Sequence, residues 1–282
     1  QAFAIGVLLN IIFVVIEFTY GVAADSLALI ADAGHNLSDV LSLLLAWGAS
    51  VLAMRPNSDK RTYGYRKATI MASLISAVVL LVALGSITWE ALQRFSDPQP
   101  IEGLTMVVVA AIGVVINTIT ALLFLKGQKD DLNIKGAFLH MSADAAVSLG
   151  VVIAGLLILW GDWLWLDPAI SLIIVFVVFI STWGLLRDSF NYSLDAVPNN
   201  ADFIGIRNYL LGLEGVVTLH DLHVWPLSTT ITALTVHLVV NNETIDNELL
   251  SEIQSHLHDE FNIEHATIQV ESALAENRCM LA

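Results

Sequence analysis

Cysteine is almost missing from this chain: Cys279 is the only one in 282 residues. That excludes an intrachain disulfide and leaves no redox-compartment signal. Charge is also scarce. Asp, Glu, Lys and Arg make up 14% of the residues against 56% hydrophobic, and the mean hydropathy of +0.72 excludes an ordinary water-soluble domain. The few charges lean one way, with 12 Lys and Arg against 27 Asp and Glu and a net charge of −15. Such a surface should not bind nucleic acid. The chain begins at Gln1 with neither an initiator Met nor a basic leader region. The first apolar run is therefore expected to be a trimmed membrane helix rather than a signal peptide.

What fills the sequence is long apolar runs. Six spans are expected, at 2–22, 27–54, 67–92, 102–126, 134–160 and 168–187, each near the 20 or so residues that cross a bilayer. Short loops separate them, marked by RPNSD at 55–59, SDPQP at 96–100 and WLDP at 165–168. Basic residues fall on alternate loops. Arg55, Lys60, Arg61, Arg66 and Lys67 flank the second loop, Lys126, Lys129 and Lys135 the fourth, and Arg187 ends span six. The opposite loops hold only Arg94, with Asp97, Asp162 and Asp167. By the positive-inside rule both termini should be cytoplasmic. Trp160, Trp163 and Trp165 are placed as an interfacial belt.

After Pro198 the composition becomes mixed. The expected order is helix 201–212, strand 216–225, strand 230–240, helix 244–260 and strand 264–271, with TLHDLHVW and TALTVHLVV as alternating strands about the turn PLSTT. This αββαβ order predicts a small ferredoxin-like α+β domain. From Asp202 onward it carries twelve Asp and Glu against Arg207 and Arg278. The fold class is thus an all-α six-helix transmembrane domain (1–190), a linker (191–200) and a cytoplasmic α+β domain (201–282).

Ionisable residues inside spans are costly, at roughly 2.5–3.5 kcal/mol each near the bilayer centre, and they mark function by default. Seven lie away from the basic ends: Glu17, Asp32, His35, Asp39, Glu90, His140 and Asp144. Four repeat one pattern, His35-x-x-x-Asp39 in span two and His140-x-x-x-Asp144 in span five. At i and i+4 both side chains leave one helical face. Two facing helices would supply two imidazoles and two carboxylates, a tetrahedral set for a divalent ion such as Zn²⁺. One such pair alone is often interhelical glue; a repeat on non-adjacent spans points to a site. Metal needs neutral imidazole and ionised carboxylate, so metal and protons compete there. Counted from the outer ends, the span-two pair lies shallower than the span-five pair, which requires span five to tilt or end early. Asp32 sits on the same face one turn outward, for ion guidance or a helix-end hydrogen bond. Glu17 and Glu90 are candidates for proton relay or for packing inside the bundle.

Six spans, HNLSD in the second, HMSAD in the fifth and HDLHVW in the tail resemble the cation diffusion facilitator family. SLALIADAGHNLSD and IEHATIQVE are similar to its zinc-exporting branch. The resemblance implies a homodimer in the inner (plasma) membrane that exchanges Zn²⁺ for H⁺, with His35, Asp39, His140 and Asp144 as zinc ligands. It implies broader acceptance, including cadmium, when the first His is Asp. It also implies regulatory ligands at His220, His237 and Glu271 in the tail. Folding about residues 227–228 brings His220 near residue 235, one diagonal step from His237. Asn247 stands where some relatives place a further histidine, so one metal rather than two is expected. The loop RPNSDKRTYGYRK and the segment LKGQKDDLN hold no histidine, so no metal site is expected in either. Lys67 and Asp195 match a family charge pair that would act as a hinge, against a plain surface lysine. His256 and His258 are read as solvated, His223 and His265 as structural, and Cys279 as weak evidence for a tail ligand.

Other readings are an enzyme, a membrane-anchored zinc sensor, an exporter of another divalent metal and an organic-solute transporter. Neither Gly-x-Gly-Asp nor His-Glu-x-x-His occurs, which argues against intramembrane aspartyl or zinc proteolysis. Against the sensor stands a ligand set buried in the bilayer. Against the solute carrier stands the want of paired helix breaks.

Overall fold

The computed structural model describes residues 2–124, 132–241 and 247–272; the side chains of 2–10, 38, 39, 41–47, 49, 50, 53, 123, 124 and 132–140 lie outside the description. The expectations for Lys126, Lys129, LKGQKDDLN and Cys279 fall wholly or largely outside it too. The described elements are α1 (Ala2–Ala23), α2 (Leu27–Ala53), α3 (Ala68–Ser96), α4 (Gly103–Phe124), α5 (Leu132–Gly161) and α6 (Leu166–Ser193), then α7 (Phe203–Leu211), β1 (Val216–Pro226), β2 (Thr232–Val240), α8 (Asn247–Phe261) and β3 (Ile263–Ser272). Among the described residues, stretches of α3, α4, α5 and α6 are long and apolar enough to cross a membrane.

Two helices overrun their expected ends. α3 continues to Ser96 because Arg94 is held there: its guanidinium bonds the Asp25 carboxylate at 2.6 Å, the Asp25 carbonyl, and Glu90 at 2.8 Å. Glu90 is therefore half-exposed and ion-paired with the buried Arg94, not packed inside the bundle. α6 runs on to Ser193 through a polar last turn. Several helices stop on an acidic or amide residue with positive φ. Asp25 follows α1, Asp162 follows α5, Asp195 follows α6 and Asn262 follows α8, with φ between 51° and 60°. Asp and Asn tolerate this left-handed turn better than most residues.

The chain falls into two compact units, residues 1–45 with 75–186, and residues 46–74 with 187–282. In the first, the buried core joins Ala28, Leu29 and Ala31 of α2 to Met106 and Ala110 of α4, Val151 and Ala154 of α5, and Val175 and Val178 of α6. Small residues let the helices approach closely, as expected where lipid supplies no hydrophobic drive. A Cβ on Gly155 would lie 2.7 Å from Val107 Cγ2, and one on Gly113 only 2.6 Å from Phe13 Cζ.

The second unit contains a three-stranded mixed sheet in the order β1-β2-β3, with β1 antiparallel and β3 parallel to the central β2. One face packs Leu234, Val236 and Leu238 against Ile206 and Leu210 of α7 and Ile253 and Leu257 of α8. Strand alternation sends His237 to the other face. Asp202 caps α7, its carboxylate accepting the Gly205 N–H at 2.9 Å.

Candidate metal centres

In the first unit, α2 and α5 meet at His35 and Asp144, with Nε2 and Oδ1 3.2 Å apart and Asp144 buried. One turn away Ser148 Oγ donates to Asp32 Oδ2 at 3.0 Å. Stepping from 32 to 35 on α2 steps from 148 back to 144 on α5, so the two helices run antiparallel. This also settles the depth mismatch. His35 is eight residues past Leu27, whereas Asp144 is seventeen before Gly161, and the two still touch. α5 therefore runs on beyond the start of α2 by about 13 Å, or nine residues at 1.5 Å each. Asp39 and His140 lie on these same helices one turn further along, but their side chains are outside the described residues.

The surroundings of this pair are polar and buried. Glu17, Asp32, Asn36, Asn117 and Ser148 are all fully buried or nearly so. Asn36 Nδ2 donates to Glu17 Oε2 at 3.2 Å. Glu17 Oε1, Asp32 Oδ1 and both amide atoms of Asn117 are buried without a hydrogen-bond partner among the described residues. Asp32 is thus interior, not at a mouth or a helix end. The helix-end role belongs to Asp167 of α6, which sequence reasoning had read only as a loop charge. Its carboxylate accepts from Ser26 Oγ at 2.6 Å, Leu27 N at 2.9 Å and Ala28 N at 3.0 Å. It satisfies the orphan N–H groups that open α2 and so fixes where His35 stands.

In the second unit, ligand atoms of His220, His237 and Glu271 lie within 4.8 Å of one another. His220 Nε2 is 3.2 Å from Glu271 Oε2, and His237 Nδ1 is 3.0 Å from Oε1. Gln269 Nε2 also donates to Oε1 at 2.8 Å. His220 and His237 are direct cross-strand partners, which corrects the expected pairing of His220 with residue 235. The turn centres later in the chain, and a bulge between His220 and His223 shifts the register by one. Asp221, at φ 54°, forms that bulge; its carboxylate lies 3.1 Å from His223 Nε2 and 3.9 Å from His237 Nε2. Ser228 Oγ organises the turn by accepting from the N–H groups of Thr230 and Ile231.

This triad suits a cation. Burial by itself would raise the Glu271 carboxyl, but the hydrogen bond and positive potential of His220, with His237 beside it, hold it below the usual glutamate range. His220 Nδ1 is buried with no hydrogen-bond partner among the described residues. Tetrahedral Zn²⁺ with ligands at about 2.0–2.2 Å separates them by roughly 3.4 Å, close to the spacings here. Other tail histidines sit elsewhere. His256 is exposed, as expected, and stacks on Tyr209 with ring centroids 4.0 Å apart. His258 pairs with Asp259 and Glu264, and His265 packs edge-on against Tyr63 at 5.8 Å. Lys67 Nζ bonds Asp195 Oδ1 at 2.6 Å, so this lysine is not a bare surface charge.

Comparison with known proteins identifies the family of both parts of the chain. Residues 3–192 match the cation efflux transmembrane domain, and residues 198–273 match the cytoplasmic domain of cation efflux proteins. The chain is 39% identical over 267 residues to the metal cation efflux system protein CzcD of Cupriavidus metallidurans, covering 94% of this chain and 84% of that one. It is 36% identical to the cadmium, cobalt and zinc/H(+)-K(+) antiporter of Bacillus velezensis, covering 93% and 85%. It is also 36% identical to the zinc transporter ZitB of Escherichia coli, covering 92% and 83%. The chain belongs to the cation diffusion facilitator family of cation efflux proteins.

Proposed function

We propose that this chain exports divalent cations, zinc foremost, by exchange against protons across the plasma (inner) membrane. The observation that carries this is the His35–Asp144 pair, which joins two antiparallel helices at a buried polar cluster inside a mainly apolar bundle. An anchor for a sensor has no use for it. Relatives named for zinc transport and for cation/H⁺ antiport, alike over most of both chains, support the cargo and the counter-ion.

All six long helices cross the bilayer, with both termini cytoplasmic, as the basic loops require. Residues 1–190 form the transport domain, and 201–282 form a ferredoxin-like regulatory domain that pairs two copies into a homodimer. Extending the antiparallel step of α2 and α5 by one more turn brings position 39 level with position 140. His35, Asp39, His140 and Asp144 then close around one ion. Two aspartates offset a 2+ charge in a low-dielectric setting, and two neutral imidazoles complete the shell.

The exchange follows from the donor set. In the proposed cycle a proton occupies the facing His35 Nε2 and Asp144 Oδ1 when no metal does. A metal ion entering from the cytoplasmic side displaces it, because both groups must offer lone pairs. When the site opens outward, where protons are more abundant, reprotonation of the same atoms releases the ion. Fully buried Glu17, Asp32 and Asn36 keep this polar chamber apart from lipid. His220, His237 and Glu271 bind a second, regulatory ion that reports cytoplasmic metal.

The test is ⁶⁵Zn flux in vesicles with an imposed pH gradient. Wild type should show gradient-dependent flux and Asp144→Ala none, with the dimer still folded. Zinc bound at equilibrium but never moved by wild type would favour the membrane-anchored sensor. His35→Asp should raise cadmium flux relative to zinc; an unchanged ratio would discard that account of selectivity.

A further inference from the structure

The second unit holds a pocket of about 560 Å³ that neither metal centre uses. Its wall comprises Met54, Arg55, Pro56 and Asn57 after α2, Arg66 and Thr69 around the start of α3, and Ser228 to Ile231 of the β1–β2 turn. Among the described residues, no carboxylate lines it. In a chain of net charge −15, a pocket with two arginines and no acid is a local reversal of sign. Among the described residues, neither guanidinium is paired with a carboxylate.

The remaining polar wall is hydroxyl and amide: Asn57, Thr69, Ser228, Thr229 and Thr230. The pocket is built rather than incidental. Thr69 Oγ1 donates to the Arg66 carbonyl at 3.0 Å and accepts the Thr229 N–H at 3.1 Å, fastening the β1–β2 turn to the first turn of α3. Guanidinium forks with neighbouring hydroxyls match the oxygens of a phosphate group, bidentate and charge-assisted. The volume falls in the range of small-molecule sites. The positive-inside rule accounts for arginines near a membrane but not for two of them walling one cavity with hydroxyls. Val51 and Met54, on the last turn of α2 and just past it, are apolar and exposed. They offer a track for an acyl chain leading to that cavity.

We propose that this pocket binds a phosphate group, carried by an anionic phospholipid headgroup or free in solution. A bound phosphate would join Arg55 and Arg66 at the helix ends to the hydroxyls of the β1–β2 turn. That turn leads directly into the strands bearing His220 and His237, so occupancy would stiffen their connection to α3. The inference needs only the pocket and does not depend on which metal is exported.

Native mass spectrometry of the full chain in detergent tests it, with phosphatidylglycerol, phosphatidylcholine and inorganic phosphate as probes. Wild type should retain one saturable phosphatidylglycerol per protomer and hold phosphatidylcholine more weakly. Arg66→Gln and Arg55→Gln should each weaken phosphatidylglycerol binding about tenfold, the usual scale for a lost charge-assisted contact. Lys60→Gln removes the same charge from the same loop outside the pocket and should change nothing. If inorganic phosphate displaces the lipid, with the same dependence on both arginines, the site takes soluble phosphate as well. If it does not, the source is the lipid headgroup. Either result upholds the site. No retained lipid in wild type, full binding in both arginine variants, equal loss in Lys60→Gln, or equal binding of both lipids overturns it. Should Arg66→Gln fail to fold, the exposed Arg55 carries the test.

Discussion

The two candidate metal centres offer the same donor chemistry in opposite settings. In the bundle, His35 and Asp144 come from helices more than a hundred residues apart in sequence and meet among buried polar residues. In the tail, His220 and His237 are neighbours on adjacent strands, and Glu271 adds a third ligand from the next strand on the same, half-open face. A ligand set carried on separate helices changes shape when the helices move, which is what release to the far side requires. A set carried on one hydrogen-bonded sheet keeps its shape, which suits retention and sensing. The donor types are alike in the two places; what differs is the scaffold, separate helices in one and a single sheet in the other.

The sharpest way to break this contrast is to remove one ligand from each. Asp144→Ala should abolish flux, a loss of at least about a hundredfold given that an intramembrane ligand is removed outright. His237→Ala should leave the maximum flux within about twofold of wild type while weakening zinc binding by the purified tail roughly tenfold or more. Flux lost equally in both would make the tail triad part of transport. Next in size is Asp167→Ala, which strips three donors at the start of α2 of their acceptor. It should destabilise the bundle by roughly 3 kcal/mol, read as a lower melting temperature in detergent. The tail's metal affinity should not move, since Asp167 belongs to the other unit.

Smaller effects sharpen the picture of the tail. Asp202→Ala removes the α7 cap and should cost about 1 kcal/mol in chemical denaturation of the tail. The last is a pH effect. The hydrogen bond to Asp259, with Glu264 alongside, raises the His258 imidazole above its ordinary value. A raised value means that the folded tail favours the charged ring. Its contribution is therefore full below the unfolded value near about 6.5 and fades as pH rises through the folded one. Melting curves of His258→Gln and wild type should differ slightly in mild acid and coincide in mild alkali. A difference that grows with pH would contradict the assignment.

Much of this was legible in the residues, and the reasons are local. His35 with Asp39 and His140 with Asp144 stood out because i, i+4 spacing is a property of a single helix and because charge in an apolar span needs a reason. The αββαβ order followed from alternation and turn residues, and His220, His237 and Glu271 were named from the family resemblance. Their contact geometry was not legible. The one-residue bulge at Asp221 puts His220 opposite His237, and a single extra residue in a strand leaves no periodic trace. Glu90 and Asp32 traded expected roles for the same reason. One turned out to pair with Arg94 at a helix end, the other to be buried against Ser148, and both partners lie where only packing can bring them.

The sequence therefore settled what is written in neighbouring residues: apolar spans, a polar tail and two His/Asp pairs at helical spacing. Which helix faces which, and at what height, came from the tertiary structure. Asp167 on α6 caps α2, 140 residues away, and that cap sets the level at which His35 meets Asp144. No local pattern carries such a contact, because its free energy comes from satisfying buried N–H groups across the bundle once the helices have already assembled.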